Sequence, residues 1–254
     1  MENKERGYHI GLSIEDIENA KYAILPGDPG RVSKIARMLD NYKPLAVNRE
    51  FTSYLGEINN NKVLVISTGI GGPSTAICVE ELNMIGIKNI IRVGTCGGMN
   101  KNVDGGDLII ANSAIRDEGT SRAYAPSDYP AVANIDMVNA LKDSANKLGY
   151  KYHVGIVHTK DSFYGQHDPD SMLTATELKS KWESFINDGA LGSDMETATL
   201  YVVARIRGIR AVSVLTALWN QEKENIELKR PSFDTENAIK VSIEAIRLLI
   251  NKEN

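Results

Sequence analysis

Ile90-Ile91-Arg92-Val93-Gly94-Thr95-Cys96-Gly97-Gly98 sets an arginine inside a short β-branched run and follows it at once with small residues. The apolar part, Ile90 to Val93, has strand character, and strand ends that open into Gly/Thr turns are where α/β sheets bind small molecules. A buried arginine is costly unless paired, so Arg92 requires an anion, supplied either by a fixed carboxylate or by a ligand. A ligand carries at least equal weight here, and Thr95 could add a hydroxyl to the same anion.

The chain around this stretch repeats the strand pattern between amphipathic helical segments. Strands are predicted at Tyr22 to Leu25, Lys62 to Thr68, Asp107 to Ala111, Tyr152 to Thr159 and Ala211 to Leu218. Apolar residues at three- and four-residue spacing predict helices at Arg31 to Leu39, Ser74 to Met84, Val138 to Leu148, Leu178 to Ile186, Met195 to Ile206 and Thr235 to Ile250. The class is α/β with a largely parallel or mixed sheet. With 254 residues and no long linker or repeat, one domain over residues 1–254 is expected. Ile115 to Pro130 and Asn220 to Asp234 read as long functional loops.

Composition narrows the function. A net charge of -4 offers no basic stripe for nucleic acid. No run is long and apolar enough to span a membrane, and the start, MENKERGYHI, lacks a secretory core, so the cytoplasm is expected. The two cysteines, Cys78 and Cys96, have no metal or redox spacing and read as buried free thiols. The four histidines are scattered, so a catalytic zinc site is not expected; no resident cofactor is expected either.

Three further motifs could carry chemistry. In Gly27-Asp28-Pro29-Gly30-Arg31, glycine permits close backbone approach, and the amides of a helix start beside Arg31 would hold an oxyanion such as phosphate; alternatively it is an ordinary turn whose arginine faces water. A second arginine-glycine element in one chain raises the weight of phosphate. Ser67-Thr68-Gly69-Ile70-Gly71-Gly72-Pro73-Ser74-Thr75 is neither GxGxxG nor a P-loop; its glycines allow tight strand-to-helix packing, and Pro73 suits the next helix's first turn. In Ser193-Asp194-Met195-Glu196, the carboxylates either complement the helix dipole or clamp two ribose hydroxyls, with Met195 against the sugar face.

Taken in chain order, these elements make the sequence resemble the nucleoside phosphorylase family of the uridine phosphorylase and hexameric purine nucleoside phosphorylase type. The match also includes His9-Ile10-Gly11-Leu12, Asn48-Arg49-Glu50-Phe51-Thr52, Tyr129-Pro130-Ala131-Val132 and Asp161-Ser162-Phe163-Tyr164. The resemblance implies one domain with a mixed, twisted, partly barrel-like sheet flanked by helices. It implies phosphate binding by Gly27, Arg31, Arg92 and Thr95, with Arg49 arriving from a neighbouring subunit. Met195 and Glu196 would hold the ribose, and His9 of the neighbour would meet its 5′-hydroxyl. Phe163 would pack on sugar or base, and Gln166 would face the uracil amide edge. Glu50, Ile70 and Ser74 match positions that can hold a monovalent cation, potassium, at a dimer interface; packing and N-capping are the alternative. The assembly implied is a homo-oligomer, a hexamer built as a trimer of dimers.

STGIGGPST and NREFT are similar to the uridine branch, but the base site departs from it. Gly165-Gln166-His167-Asp168 is one residue shorter than usual and lacks the arginine two places after the glutamine; Trp219-Asn220-Gln221-Glu222 lacks a second arginine. Lys160 and His167 are substitute donors that could point at a uracil carbonyl and stabilise the departing base. The Ser-Asp pair of purine enzymes is absent from Ala217-Leu218-Trp219-Asn220. The expected reaction is reversible phosphorolysis of uridine to uracil and ribose 1-phosphate, with Arg92, Glu196, Gln166 and His167 as its catalytic residues and phosphate as co-substrate. The competing expectations are phosphorolysis of purine or other pyrimidine nucleosides, a nucleosidase of the same fold, and a nucleoside-binding protein without turnover.

Overall fold

The structure, a computed structural model, describes residues 6–220, 222–223 and 234–253. In chain order the elements are β1 (Tyr22–Pro26), α1 (Pro29–Ala36), β2 (Asp40–Asn48), β3 (Phe51–Ile58), β4 (Asn61–Ile66), α2 (Gly72–Met84), β5 (Asn89–Gly98) and β6 (Leu108–Asp117). There follow α3 (Thr120–Tyr124), β7 (Ala131–Val132), α4 (Ile135–Leu148), β8 (Tyr152–Lys160), α5 (Phe163–His167), α6 (Ala175–Asn187), β9 (Gly192–Asp194), α7 (Thr197–Ile206), β10 (Arg210–Asn220) and α8 (Glu236–Glu253).

The strands form one mixed sheet. β10, β6, β8, β9 and β5 close into a ring, because β10 pairs with both β6 and β5; β1, β4, β3 and β2 continue outward from β5 as an open wing. This is the mixed, partly barrel-like sheet expected. Parallel pairing of β1, β5 and β10 puts Pro26, Val93 to Thr95 and Thr216 at one end of the sheet. Their C-terminal ends open on the same side.

Both faces of the central strands are covered. Tyr22, Ile24, Ile91, Val93, Val212 and Val214 pack with Val32 and Ile35 of α1, Leu141 of α4 and Ile246 of α8. Ala23, Leu25, Ile90 and Leu215 pack on the other side with Val79 and Leu82 of α2 and Leu200 and Val203 of α7. Strands buried on two faces read as unbroken apolar runs, which is why they were legible. Arg92 shares the parity of Ile90, so it points to the α2–α7 side. Close packing there also explains one glycine: a Cβ on Gly72 would stand 2.6 Å from Thr120 Oγ1 and 2.8 Å from Thr199 Oγ1. The tight packing that this glycine allows is of α2 against α3 and α7, helix to helix where strand to helix was expected.

The structure adds elements that periodicity did not announce. β2 and β3 form an antiparallel hairpin at the sheet edge. β2 carries Asp40, Asn41, Lys43 and Pro44 and is largely exposed, as suits an edge strand, so it has no apolar signal. β9 and α5 are too short to show a period.

The segment from Ile115 to Pro130 is corrected. It begins inside β6, contains α3, and is laced together by Arg116, which donates to the Ser121 carbonyl at 2.9 Å and the Ala125 carbonyl at 2.8 Å. One arginine satisfying several carbonyls makes it a packed element. Most of the other expected loop, between Asn220 and Asp234, lies outside the described residues.

Candidate active site

A cavity of about 610 Å³ opens at the C-terminal end of the parallel strands, with Gly27, Arg31, Arg92, Thr95, Met195 and Glu196 in its wall. Lys160, Phe163, Gln166 and His167 complete the other end. The volume suits a small-molecule substrate.

Arg92 is 4 % exposed and has two fixed carboxylates near it. Its Nη2 donates to Glu196 Oε2, and its Nε lies 3.8 Å from Asp194 Oδ2. The fixed-carboxylate reading is what the structure shows, and Nε and Nη1 have no hydrogen-bond partner. Nη1 is the donor closest to Gly27, whose Cβ, if it had one, would stand 3.8 Å from it. Arg31 does not merely face water: its side chain is 17 % exposed. Burial lowers its pKa, Asp28 opposes, and the nearby charge of Arg92 lowers it further. Two guanidiniums facing one cavity attract an anion.

The two carboxylates have different surroundings: Asp194 takes the helix-terminus position and Glu196 lines the cavity. Asp194 accepts from Thr197 N at 3.0 Å and Thr197 Oγ1 at 2.6 Å, and from Thr159 Oγ1 at 2.7 Å. It is the helix-terminus carboxylate of α7. Glu196 faces the cavity and accepts from Gly71 N at 2.8 Å, Met195 N at 3.3 Å and Arg92. An ionised carboxylate has about four acceptor positions, so one is left for a hydroxyl. Burial raises the Glu196 pKa; Arg92 opposes this, Asp194 adds to it, and the two amides oppose it.

At the other end, Lys160 donates to Ser193 Oγ at 2.7 Å. Burial pulls its pKa down to about 8 against the pull of Asp194, Glu196 and Cys96. His167 closes the rim, its ring 4.3 Å from that of Phe163 and 5.3 Å from that of Trp219. Burial, and then the charge of Lys160, lower its pKa.

The cavity has three chemically distinct parts: guanidinium donors at one end, a carboxylate and thioether in the middle, and polar donors beside aromatic rings at the other. Residues 21–251 match the family model described as Phosphorylase superfamily. The chain belongs to the phosphorylase superfamily. It is 44% identical to a uridine phosphorylase of Treponema pallidum, covering 97% of this chain and 95% of that one. It is 37% identical to a uridine phosphorylase of Escherichia coli, covering 98% and 100%. It is 34% identical to a guanosine phosphorylase of Halorubrum lacusprofundi, covering 94% and 98%.

Within this superfamily member, two residues assigned to the site lie outside its cavity. His9 Nδ1 is 2.6 Å from Glu81 Oε1, and Arg49 is exposed in the β2–β3 turn with φ of 54°. They lie on one face, because the Asn48 amide donates to the His9 carbonyl at 2.8 Å. Glu50 and Ile70 reach the cavity rim, and Ser74 Oγ donates to the Ile70 carbonyl at 3.1 Å. Among the described residues, no group of three or more His, Cys, Asp or Glu side chains is placed to hold a metal, and no helix is long and apolar enough to cross a membrane. Cys78 and Cys96 are buried and free, as expected.

Sequence reasoning assigned no role to Ser193 or Trp219, both of which line the cavity. Ser193 stood next to the quoted acidic pair, and Trp219 stood at a strand end beside a recognised loop. Neither residue type announces chemistry alone.

Proposed function

We propose that this chain catalyses reversible phosphorolysis of uridine, giving uracil and ribose 1-phosphate. The observation that carries the reading is the buried Arg92, with Nε and Nη1 unpartnered beside Arg31 in a cavity of nucleoside size. A nucleosidase, which uses water, has no need of this pair. The uridine phosphorylases among its relatives support the choice of base.

Arg31, Arg92, Thr95 and the backbone at Gly27 hold phosphate below the sugar, with Arg49 supplied by a neighbouring subunit. Glu196 takes a ribose hydroxyl, Met195 packs on the ring, and His9 of the neighbour meets the 5′-hydroxyl. As a phosphate oxygen approaches the anomeric carbon, the glycosidic bond breaks and its electron pair leaves with the base. The sugar becomes oxocarbenium-like, so phosphate stabilises it from one side while Lys160, Gln166 and His167 stabilise the departing anion. Each charge-assisted hydrogen bond contributes roughly 1.5 to 3 kcal/mol. No covalent enzyme intermediate or resident cofactor is required.

His9 and Arg49 lie together on a face outside their own chain's cavity, which supports an assembly with shared sites: a homo-oligomer, a hexamer made as a trimer of dimers. Glu50, the Ile70 carbonyl and Ser74 offer oxygens suited to a monovalent cation such as potassium at that interface, where it would neutralise Glu50. The enzyme acts in the cytoplasm on free nucleosides.

The test is incubation with uridine in the presence and absence of phosphate. Uracil and ribose 1-phosphate form only with phosphate; uracil release undiminished without it would make the protein a nucleosidase, and binding without turnover a sensor. A panel with deoxyuridine, thymidine, guanosine and inosine ranks the bases, and uridine is expected to lead.

A further inference from the structure

Behind the nucleoside cavity, β8, α5 and α6 enclose a second cavity of about 330 Å³ whose wall includes Asp117, His158, Leu178 and Trp182, and which shares Lys160 and Gln166 with the first. A line of polar side chains crosses the partition. Lys160 Nζ donates to Ser193 Oγ at 2.7 Å; Ser193 Oγ lies 3.4 Å from His158 Nδ1; His158 Nε2 lies 3.1 Å from Asp117 Oδ2. Strand register builds the line, because His158 pairs with Ser193 across β8 and β9, and Asp117 pairs with Lys160 across β6 and β8. Ser193, His158 and Lys160 are 3 %, 5 % and 8 % exposed, and the Phe185 ring of α6 closes on His158 at 4.7 Å. Side chains of this polarity are not placed in series inside a wall by packing alone.

Each link sets the direction of the next. Asp117 also accepts from Lys181 Nζ at 3.1 Å. Burial works against its charge, but the hydrogen bonds from His158 and Lys181 outweigh this and hold the carboxyl below the ordinary aspartate range. An ionised carboxylate only accepts, so the imidazole proton sits on Nε2 and Nδ1 is left as an acceptor. Nδ1 accepts a hydrogen bond from the Ser193 hydroxyl, which leaves a Ser193 lone pair for Lys160. With one ammonium proton anchored on Ser193, Lys160 has two left for a ligand.

We infer that Asp117, His158 and Ser193 are positioning residues that fix Lys160 as the hydrogen-bond donor to the departing base. The inference rests on the phosphorolysis proposed above, in which the base leaves with the electron pair of the glycosidic bond and negative charge builds on its carbonyl oxygen. Lys160 stabilises that charge; no proton needs to travel along the line.

The sharp variant is Asp117→Asn, which keeps the volume but can donate to Nε2, driving the ring proton to Nδ1 and reversing the Ser193 hydroxyl. With uridine, kcat falls about tenfold or more while KM for uridine and phosphate stays within about twofold, as for loss of a transition-state interaction. With 5-fluorouridine, whose fluorine stabilises the departing anion, the loss shrinks to about threefold or less. Ser193→Ala follows the same pattern and Ser193→Thr restores it. Lys181→Gln, which leaves the Asp117 carboxylate in place, keeps the wild-type ratio between the two nucleosides. ¹⁵N NMR of histidine-labelled protein, with His158 assigned by His158→Gln, reads Nδ1 as bare in the native enzyme and protonated in Asp117→Asn. Equal losses on both nucleosides, an Asp117→Asn enzyme indistinguishable from wild type, or a native Nδ1 that carries the proton would each overturn the inference. A wild-type protein that does not cleave uridine in the presence of phosphate removes the phosphorylase proposal instead, and leaves the tautomer measurement standing on its own.

Discussion

Arg92 donates through Nη2 to Glu196, so the residues proposed to hold phosphate and ribose are in direct contact and share one buried charge balance. Both are about 5 % exposed or less, so removing Arg92 takes from Glu196 its directly paired buried cation, whereas removing Glu196 still leaves Arg92 with Asp194 at 3.8 Å. Arg92→Ala therefore costs about 3 to 4 kcal/mol of transition-state stabilisation, a 10²- to 10³-fold loss in kcat/KM. Glu196→Gln costs less, and the double variant is less impaired than the product of the two singles. Steady-state kinetics of the four proteins, arranged as a double-mutant cycle, measure the coupling; strict additivity would mean that the pair does not act together.

Lys160, the proposed donor to the base, is expected to set an alkaline limit on activity. Its pKa near 8 means that the donor is charged below that value and lost above it, so kcat declines as pH rises through 8. Stability moves the opposite way. A lysine whose folded pKa lies below its unfolded one binds fewer protons folded than unfolded between about pH 8 and 10.5, so stability rises with pH across that window. Lys160→Met raises the melting temperature by a few degrees at pH 7, the gain fading toward pH 10, while kcat on uridine drops. Melting and pH-rate curves on the two proteins decide it.

Gly94 gives Arg92 its space. A Cβ at this position would stand 2.7 Å from Leu215 Cδ2 and 3.3 Å from Arg92 Nε, in a wall where Leu215 is fully buried. Gly94→Ala is expected to lose about 1 to 3 kcal/mol of stability by overpacking and to raise the KM for phosphate more than that for uridine. Chemical denaturation and two-substrate kinetics report the two effects separately.

Shared sites make a mixing experiment decisive. If Arg49 serves the neighbour's phosphate, a heterodimer of an Arg92→Ala chain and an Arg49→Ala chain has one complete site and one doubly deficient site. Random reassociation then recovers about a quarter of wild-type activity from two impaired parents. No recovery above the parents would confine each site to a single chain.

How much was legible in the sequence follows from periodicity and partnership. The six strands and six helices predicted from apolar spacing all occur, because strands covered on both faces and helices with one apolar stripe leave a repeating signal. β2 was silent because an edge strand bearing Lys43 and Pro44 buries little. At the site, Arg92 was legible as an arginine inside a strand, whereas Lys160, Phe163, Gln166 and His167, which also line the cavity, entered only through the family resemblance. Ser193, His158 and Asp117 were not legible, since a serine, a histidine and an aspartate on three strands become a line only when register joins them. His9 and Arg49 lie outside their own chain's cavity, and their proposed roles were carried by the family resemblance alone.

The closed ring has a consequence for how such an enzyme can change. β5, which carries Arg92 to Gly98, pairs with β1, β9 and β10, so the phosphate end of the cavity is held from three directions. Phe163, Gln166 and His167 ride instead on a helix of five residues at the rim. Exchanging the rim disturbs no ladder of the ring, whereas altering β5 disturbs its ladders with β9 and β10 and the β1 ladder that joins ring to wing. A lineage on this frame can trade one nucleobase for another by remodelling a short surface element, while the arginine and carboxylate half is inherited intact.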